Sequence, residues 1–124
     1  SSEAVAGATL NLDEIVRIIK RHNVNGLSLF ARLNETGTSI HTRFFAPTLG
    51  VIEDPATGSA AGALGGYLAR ILKLPRRLKL KIQQGAEIGR PSSIGVDVHC
   101  DRGMIQGVAV SGSVVRVGEG TIFL

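Results

Sequence analysis

The 124-residue sequence has no tryptophan, one tyrosine and four phenylalanines. With so few rings and sixteen glycines, packing rests on backbones that approach closely rather than on aromatic contacts. A single cysteine cannot close an internal disulfide, which excludes the secreted, cross-linked scaffold class. No apolar run approaches the length needed to span a bilayer, so no membrane partner is expected. Neither a Cys-x-x-Cys nor a His-Glu-x-x-His spacing occurs, so a metal site finds no support. A Walker A sequence, a Gly-x-Ser-x-Gly elbow and a dinucleotide Gly-x-Gly-x-x-Gly are absent as well, and no cofactor is implied. No initiator methionine opens the chain and no signal-peptide pattern follows, so it reads as a processed product or a piece of something longer. With its lone thiol, the expected location is cytoplasmic.

What is present suits one folded domain over residues 1–124. Hydrophobic residues make up 44% and charged residues 19%, which excludes wholesale disorder. The net charge of +4 is compatible with an anionic small molecule or with plain solubility. The densest basic stretch, residues 70–81, holds Arg70, Lys73, Arg76, Arg77, Lys79 and Lys81. It reads as a solvated helix end followed by an exposed strand face, and no nucleic-acid partner is expected, because no aromatic residue is interleaved to stack on bases.

The first helix is predicted to open at Asn11, with Glu14 in capping-box position and Leu12, Ile15, Val16 and Ile19 forming one apolar stripe. Asn25-Gly26 marks its exit. Leu27, Leu29, Ala31 and Leu33 then alternate with Ser28, Phe30 and Arg32, and residues 39–45 follow a turn at 34–37, so the two runs predict a hairpin. Alternation returns in residues 78–83 and 94–101. Residues 101–103 form a turn, and residues 104–110, 114–117 and 121–124 are predicted as further short strands.

Residues 59–72 differ: only Ser59 and Arg70 are strongly polar. A helix apolar on every side is expected to be surrounded. Gly62, Gly65 and Gly66 each cost about 1 kcal/mol of helix propensity relative to alanine, a cost that makes sense where strands press on a narrow helix. The expected fold is α+β: a central apolar helix wrapped by a curved mixed sheet, with one outer helix. Such a helix starts with backbone N–H groups that have no intrahelical partner. Here they follow a loop at residues 50–59, in which Pro55 fixes the chain and Gly58 lets a ligand approach. Thr57, Gly58, Ser59 and Ala60 together form a candidate receptor for a carboxylate or phosphate. Asp54 at its rim is the candidate proton carrier. The plainer reading makes Asp54-Pro55 an ordinary turn with Thr57 or Ser59 only capping the helix. The apolar helix behind the loop weighs against it.

Phe45-Ala46-Pro47 followed by Gly50-Val51-Ile52-Glu53-Asp54-Pro55-Ala56-Thr57-Gly58-Ser59-Ala60-Ala61 resembles the signature of the phenazine-biosynthesis PhzF-like family, and Gln84-Gly85-Ala86-Glu87-Ile88-Gly89-Arg90-Pro91-Ser92 agrees with it. The resemblance covers nearly the whole chain. It implies a fold related to diaminopimelate epimerase, built from two similar halves with the active site between them, and a cofactor-independent isomerisation or epimerisation of a small carboxylic acid. This chain corresponds to the second half. Asp54 matches that half's acidic site residue and Ser59 its substrate-contacting serine, while Gly58 and the neighbouring backbone hold a substrate carboxylate. The first half's acid–base glutamate and its histidine have no counterpart before the motif. The chain alone is therefore expected to be inactive or crippled, needing a first-half domain or a second copy of itself as partner. The alternative is a non-catalytic carboxylate-binding or dimerisation module.

Four other residues are weighed. Arg90 is an obvious carboxylate partner, but reads first as the anchor of a glycine-rich loop. His41 is expected to face outward. His99, between Asp97 and Asp101, reads as part of a solvated stripe. Cys100 shares a face with Val96 and Val98 and reads as a buried structural thiol.

Overall fold

The computed structural model describes residues 1–72 and 76–123. Lys73 and Leu124, which belong to the basic stretch and the last predicted strand, lie outside the described residues.

A short helix, α1 (Ser2–Ala6), precedes the helix predicted from Asn11 and was not foreseen. That helix, α2 (Leu12–His22), starts as expected, with the Asn11 side chain accepting from the Glu14 N–H at 3.1 Å. It stops earlier than predicted, because Asn23 takes the left-handed conformation at φ 50° and closes the last turn. Gly26 instead makes room for a ring, since a Cβ there would lie 2.4 Å from the Phe44 side chain.

The predicted hairpin forms between β1 (Leu27–Arg32) and β2 (Ser39–Ala46), antiparallel, with Leu27 opposite Phe45. The remaining strands and α-helix are β3 (Val51–Asp54), α3 (Gly58–Ile71), β4 (Arg77–Gln84), β5 (Ser92–Asp101) and β6 (Met104–Gly112), with short 3-10 turns at Pro47–Leu49 and Ala86–Ile88. Among the described residues the strands make one mixed sheet in the order β1-β2-β4-β5-β6, with β2 and β4 parallel and the other pairs antiparallel. The β5–β6 turn carries Arg102 at φ 49° and Gly103 at φ 78°, the positive pair that a tight two-residue hairpin requires. The α+β architecture is thus the one the sequence predicts.

Strand alternation assigns each side chain to a face. Ile40, Thr42 and Phe44 lie on the α3 side, where Ile40, Leu80, Ile82, Val96 and Val98 pack against Ala61, Leu64 and Leu68. His41, Arg43 and Phe45 lie on the opposite side, beneath α1 and α2. Two elements flank that side, where one outer helix was expected.

The surround of α3 is incomplete. Ala61, Leu64, Gly65, Leu68 and Ala69 are buried, but Ala63, Tyr67 and Ile71 are exposed. An open sheet covers one side of a helix, so an all-apolar helix retains an uncovered stripe. The predicted strands at 114–117 and 121–124 do not form within the described residues. Residues 113–123 carry no regular structure, and Val114 and Phe123 are 93% and 92% exposed. They pair with no strand among the described residues, and propensity without a partner does not make a strand. Among the described residues no helix is long and apolar enough to cross a membrane.

Candidate active site

The sheet itself makes room for the Asp-Pro loop. β4 pairs with residues 39–42 of β2 only, and β3 occupies the same side of β2 from Phe44 onward, so that Phe44 faces Asp54 and Thr42 faces Gln84. The loop from Asp54 to α3 therefore leaves the sheet beside the end of β4. Register also separates the adjacent carboxylates. Asp54 shares the α3 face with Phe44, whereas Glu53 belongs to the other face and is taken by Arg43 through two hydrogen bonds of 2.9 and 2.8 Å.

Asp54 is half-buried and held through a chain of hydrogen bonds. The Gln84 amide accepts from the Thr42 hydroxyl at 3.3 Å, donates to the Asp54 carbonyl at 2.7 Å and donates to Thr57 Oγ1 at 2.9 Å. Because Thr57 Oγ1 accepts from Gln84, its own proton is directed to Asp54 Oδ2, at 2.6 Å, a length in the range of a charge-assisted bond. Thr57 thus spends its hydroxyl on Asp54 and does not cap the helix. The first intrahelical bond of α3 runs from the Ala61 N–H to the Thr57 carbonyl at 2.9 Å. Among the described residues, no group accepts from the N–H groups of Gly58, Ser59 or Ala60. The opening turn stays unquenched, as the anion-receptor reading requires.

Ser59 and Ala60 line a groove of about 500 Å³ with Phe44, Ala63, Tyr67 and Phe30. The Phe30 and Tyr67 rings meet edge to face, with centroids 6.4 Å apart. The groove is largely apolar, with Ser59, Asn25 and Ser28 as its polar lining residues. Asp54, Thr57 and Gly58 do not line it. The structure brings Asp54 together with Thr57, and Ser59 together with Ala60.

The second sequence block supports the first from beneath. Gly85, at φ +82°, lets the chain pass so close to the Asp-Pro turn that a Cβ would lie 2.8 Å from the Pro55 carbonyl oxygen. The Ser92 hydroxyl bonds the same Pro55 oxygen and also the Gln84 carbonyl at 3.2 Å. Arg90 anchors the loop through its N–H to the Gly85 carbonyl at 2.9 Å, and it is exposed, in line with the plainer reading of that residue. His99 is exposed beside Asp97, at 3.6 Å. Cys100 is half-buried against the core rather than fully enclosed. His41 departs from expectation: it is buried, at 8% exposure, because α1 covers the face it occupies.

Sequence reasoning missed Gln84, Ser92 and Thr42. A signal existed for Gln84, since it continues the inward series Leu78, Leu80, Ile82 and is the polar member of a buried face. A Gln84→Leu variant is expected to lose about 1–3 kcal/mol, because the Asp54 carbonyl and the Thr57 hydroxyl lose a buried partner. Urea denaturation measures it, and a loss below about 0.5 kcal/mol would mean that water replaces the amide.

Comparison with known proteins supplies the family. The sequence profile described as phenazine biosynthesis-like protein, PhzC-PhzF, matches residues 1–120. A trans-2,3-dihydro-3-hydroxyanthranilate isomerase of Pseudomonas aeruginosa is 41% identical over 88 residues, covering 71% of this chain and 32% of that protein. An uncharacterized isomerase of Clostridium acetobutylicum is 36% identical over 118 residues, covering 92% of this chain and 39% of that protein. A crystal structure of a Bacillus anthracis phenazine biosynthesis protein of the PhzF family superposes with a TM-score of 0.75 at 24% identity, over 98% of this chain and 42% of that one. The chain spans roughly a third of the length of these curated relatives. On the strength of the profile match over residues 1–120, the chain belongs to the phenazine biosynthesis-like, PhzF family.

Proposed function

We propose that this chain is one half of a proton-transferring isomerase, corresponding to the family's second half, and that it binds the carboxylate of a small acid at the start of α3. The observation that carries this reading is the set of three unpartnered N–H groups on Gly58, Ser59 and Ala60, of which Ser59 and Ala60 line a largely apolar groove. A carboxylate there gains the N–H donors, the Ser59 hydroxyl and the positive end of the α3 dipole. The apolar length of the groove suits the body of the same acid. Asp54, oriented by Thr57, is the proton carrier. The isomerases among the relatives support the reaction class.

Moving a proton between opposite faces of a substrate takes one group to abstract it and another to return it. Asp54 supplies one of these. The other comes from an opposing body, either a first-half domain or a second copy of this chain. The exposed stripe of α3 at Ala63, Tyr67 and Ile71 is the apolar surface such a body would cover.

In the enzyme reconstituted with its opposing half, Asp54→Asn is expected to lower solvent deuterium incorporation into substrate by about 10²–10⁴-fold, with acid binding retained. Unchanged incorporation would remove Asp54 from the mechanism. One observation favours a second reading, a carboxylate-binding or dimerisation module without catalysis: an oxygen of Asp54 is already engaged by Thr57. Such a module binds a small acid but exchanges no deuterium with any partner.

A further inference from the structure

On the face of the sheet opposite α3, three side chains from distant parts of the chain form a relay. The Ser2 hydroxyl lies 2.9 Å from His41 Nδ1, and His41 Nε2 lies 2.8 Å from Glu87 Oε1. All three border one cleft of about 430 Å³, which Lys81 and Ser93 also line. We propose that Ser2, His41 and Glu87 are a nucleophile–base–carboxylate triad, a second reactive site that attacks small activated acyl and phosphonyl compounds.

The protonation pattern follows from the partners. A carboxylate can only accept, so the ring proton of a neutral His41 lies on Nε2 and points at Glu87. Nδ1 then presents a lone pair to the Ser2 hydroxyl. That is the arrangement a general base needs. The relay is also more than a fastening for α1. Arg43 already holds that helix by donating to the carbonyls of Val5, Ala6 and Ala8 at 3.2, 3.2 and 2.8 Å. The relay thus adds a second fastening to a helix that Arg43 already holds. Glu87 in addition keeps Oε2 buried without a hydrogen-bond partner. The Glu87 carboxylate is a counter-charge for the imidazolium that forms when His41 takes the serine proton.

With an ester, Ser2 Oγ adds to the acyl carbon while its proton passes to His41 Nδ1. The ester C–O bond then breaks, and the leaving alcohol takes that proton. Water repeats the sequence: His41 takes its proton, the hydroxide adds to the acyl carbon, and the carboxylic acid leaves as Ser2 Oγ recovers its proton. The Lys81 ammonium, on a residue that lines the cleft, is a cationic donor for the oxyanion. With a fluorophosphonate, Ser2 Oγ attacks phosphorus, fluoride departs and the adduct stays.

The test treats the purified protein with an alkyl fluorophosphonate and maps the adduct by peptide mass spectrometry, with p-nitrophenyl acetate hydrolysis as a second readout. An adduct on Ser2 is expected, absent in Ser2→Ala and slowed about 10²-fold or more in His41→Gln. Glu87 acts through His41 as a positioning residue. Glu87→Gln is expected to slow labelling about tenfold or more at every pH, with Glu87→Asp recovering part of the loss. If His41→Gln does not fold, the pH profile of the unmodified protein decides, since a general base requires the labelling rate to rise through one ionisation and then level. No adduct on Ser2, a rate independent of His41, or a rate without that ionisation would each overturn the proposal and leave the relay as a structural link.

Discussion

Replacing Arg43 with methionine is expected to lower folding stability by about 3–5 kcal/mol, the range for breaking a buried ion pair from one side. The Arg43 and Glu53 side chains are 8% and 5% exposed and meet through two parallel hydrogen bonds. Those bonds hold the guanidinium above its ordinary value, against the opposing effect of burial. Methionine fills the volume but leaves the Glu53 carboxylate buried without its partner. It also removes the donor to the Val5, Ala6 and Ala8 carbonyls and the cation over the Phe45 ring, 5.1 Å from its centroid. Two measurements check this. Urea denaturation gives the loss, and limited proteolysis is expected to cut within residues 1–10 once α1 is released. A double variant, Arg43→Met with Glu53→Leu, is expected to recover much of the stability, because an apolar pair of similar volume removes the stranded charge. It is not expected to restore the protection of α1. A single-variant loss below about 1 kcal/mol would mean that Glu53 finds water on folding.

The contrast between Arg43 and Asp54 shows which parts of the site were legible in sequence. Local rules read well: the Asn11 cap, the β1–β2 alternation and the free start of α3 each depend on residues within a turn of one another. The motif around residues 50–61 identified the family for the same reason. What sequence could not supply was register between distant strands. Glu53 and Asp54 are neighbours with equivalent chemistry, and only the pairing of β3 with β2 assigns one to Arg43 and the other to Thr57. His41 looked outward because nothing in the sequence announced that α1 would lie across it. Gln84 joins residues 30 and 42 positions away, and its role becomes visible only when β4 is set beside β2. The tail failed in the opposite sense. Its valines carry strand propensity, but a strand is a relation between two segments, and the tail pairs with none among the described residues.

Gly65 is where the packing on α3 has least tolerance, and Gly65→Val is expected to cost about 3 kcal/mol or more. A Cβ at Gly65 would lie 2.6 Å from Val96 Cγ1 and 3.1 Å from Val98 Cγ2. Both valines are buried on β5, at 2% and 0% exposure, and β-branched side chains there have little rotamer freedom with which to yield. Gly65→Ala sets two effects against each other: about 1 kcal/mol of helix propensity gained and about 1–3 kcal/mol of overpacking lost. At 2.6 Å the second wins, and a net loss is expected. Gly66→Ala, one residue on, meets Ile105 Cδ1 at an ordinary 3.6 Å, so its propensity gain survives as a stabilisation approaching about 1 kcal/mol. Urea midpoints for the two alanine variants are therefore expected to move in opposite directions. Equal stabilisation by both would show that α3 can lift away from β5 at little cost. The same contact bears on the site, because the height of α3 over the sheet sets where its opening turn, with Ser59 and Ala60, meets the groove. Gly65→Ala is accordingly expected to weaken binding of a small carboxylic acid, and Gly66→Ala to leave it unchanged, with both read by calorimetric titration on folded protein.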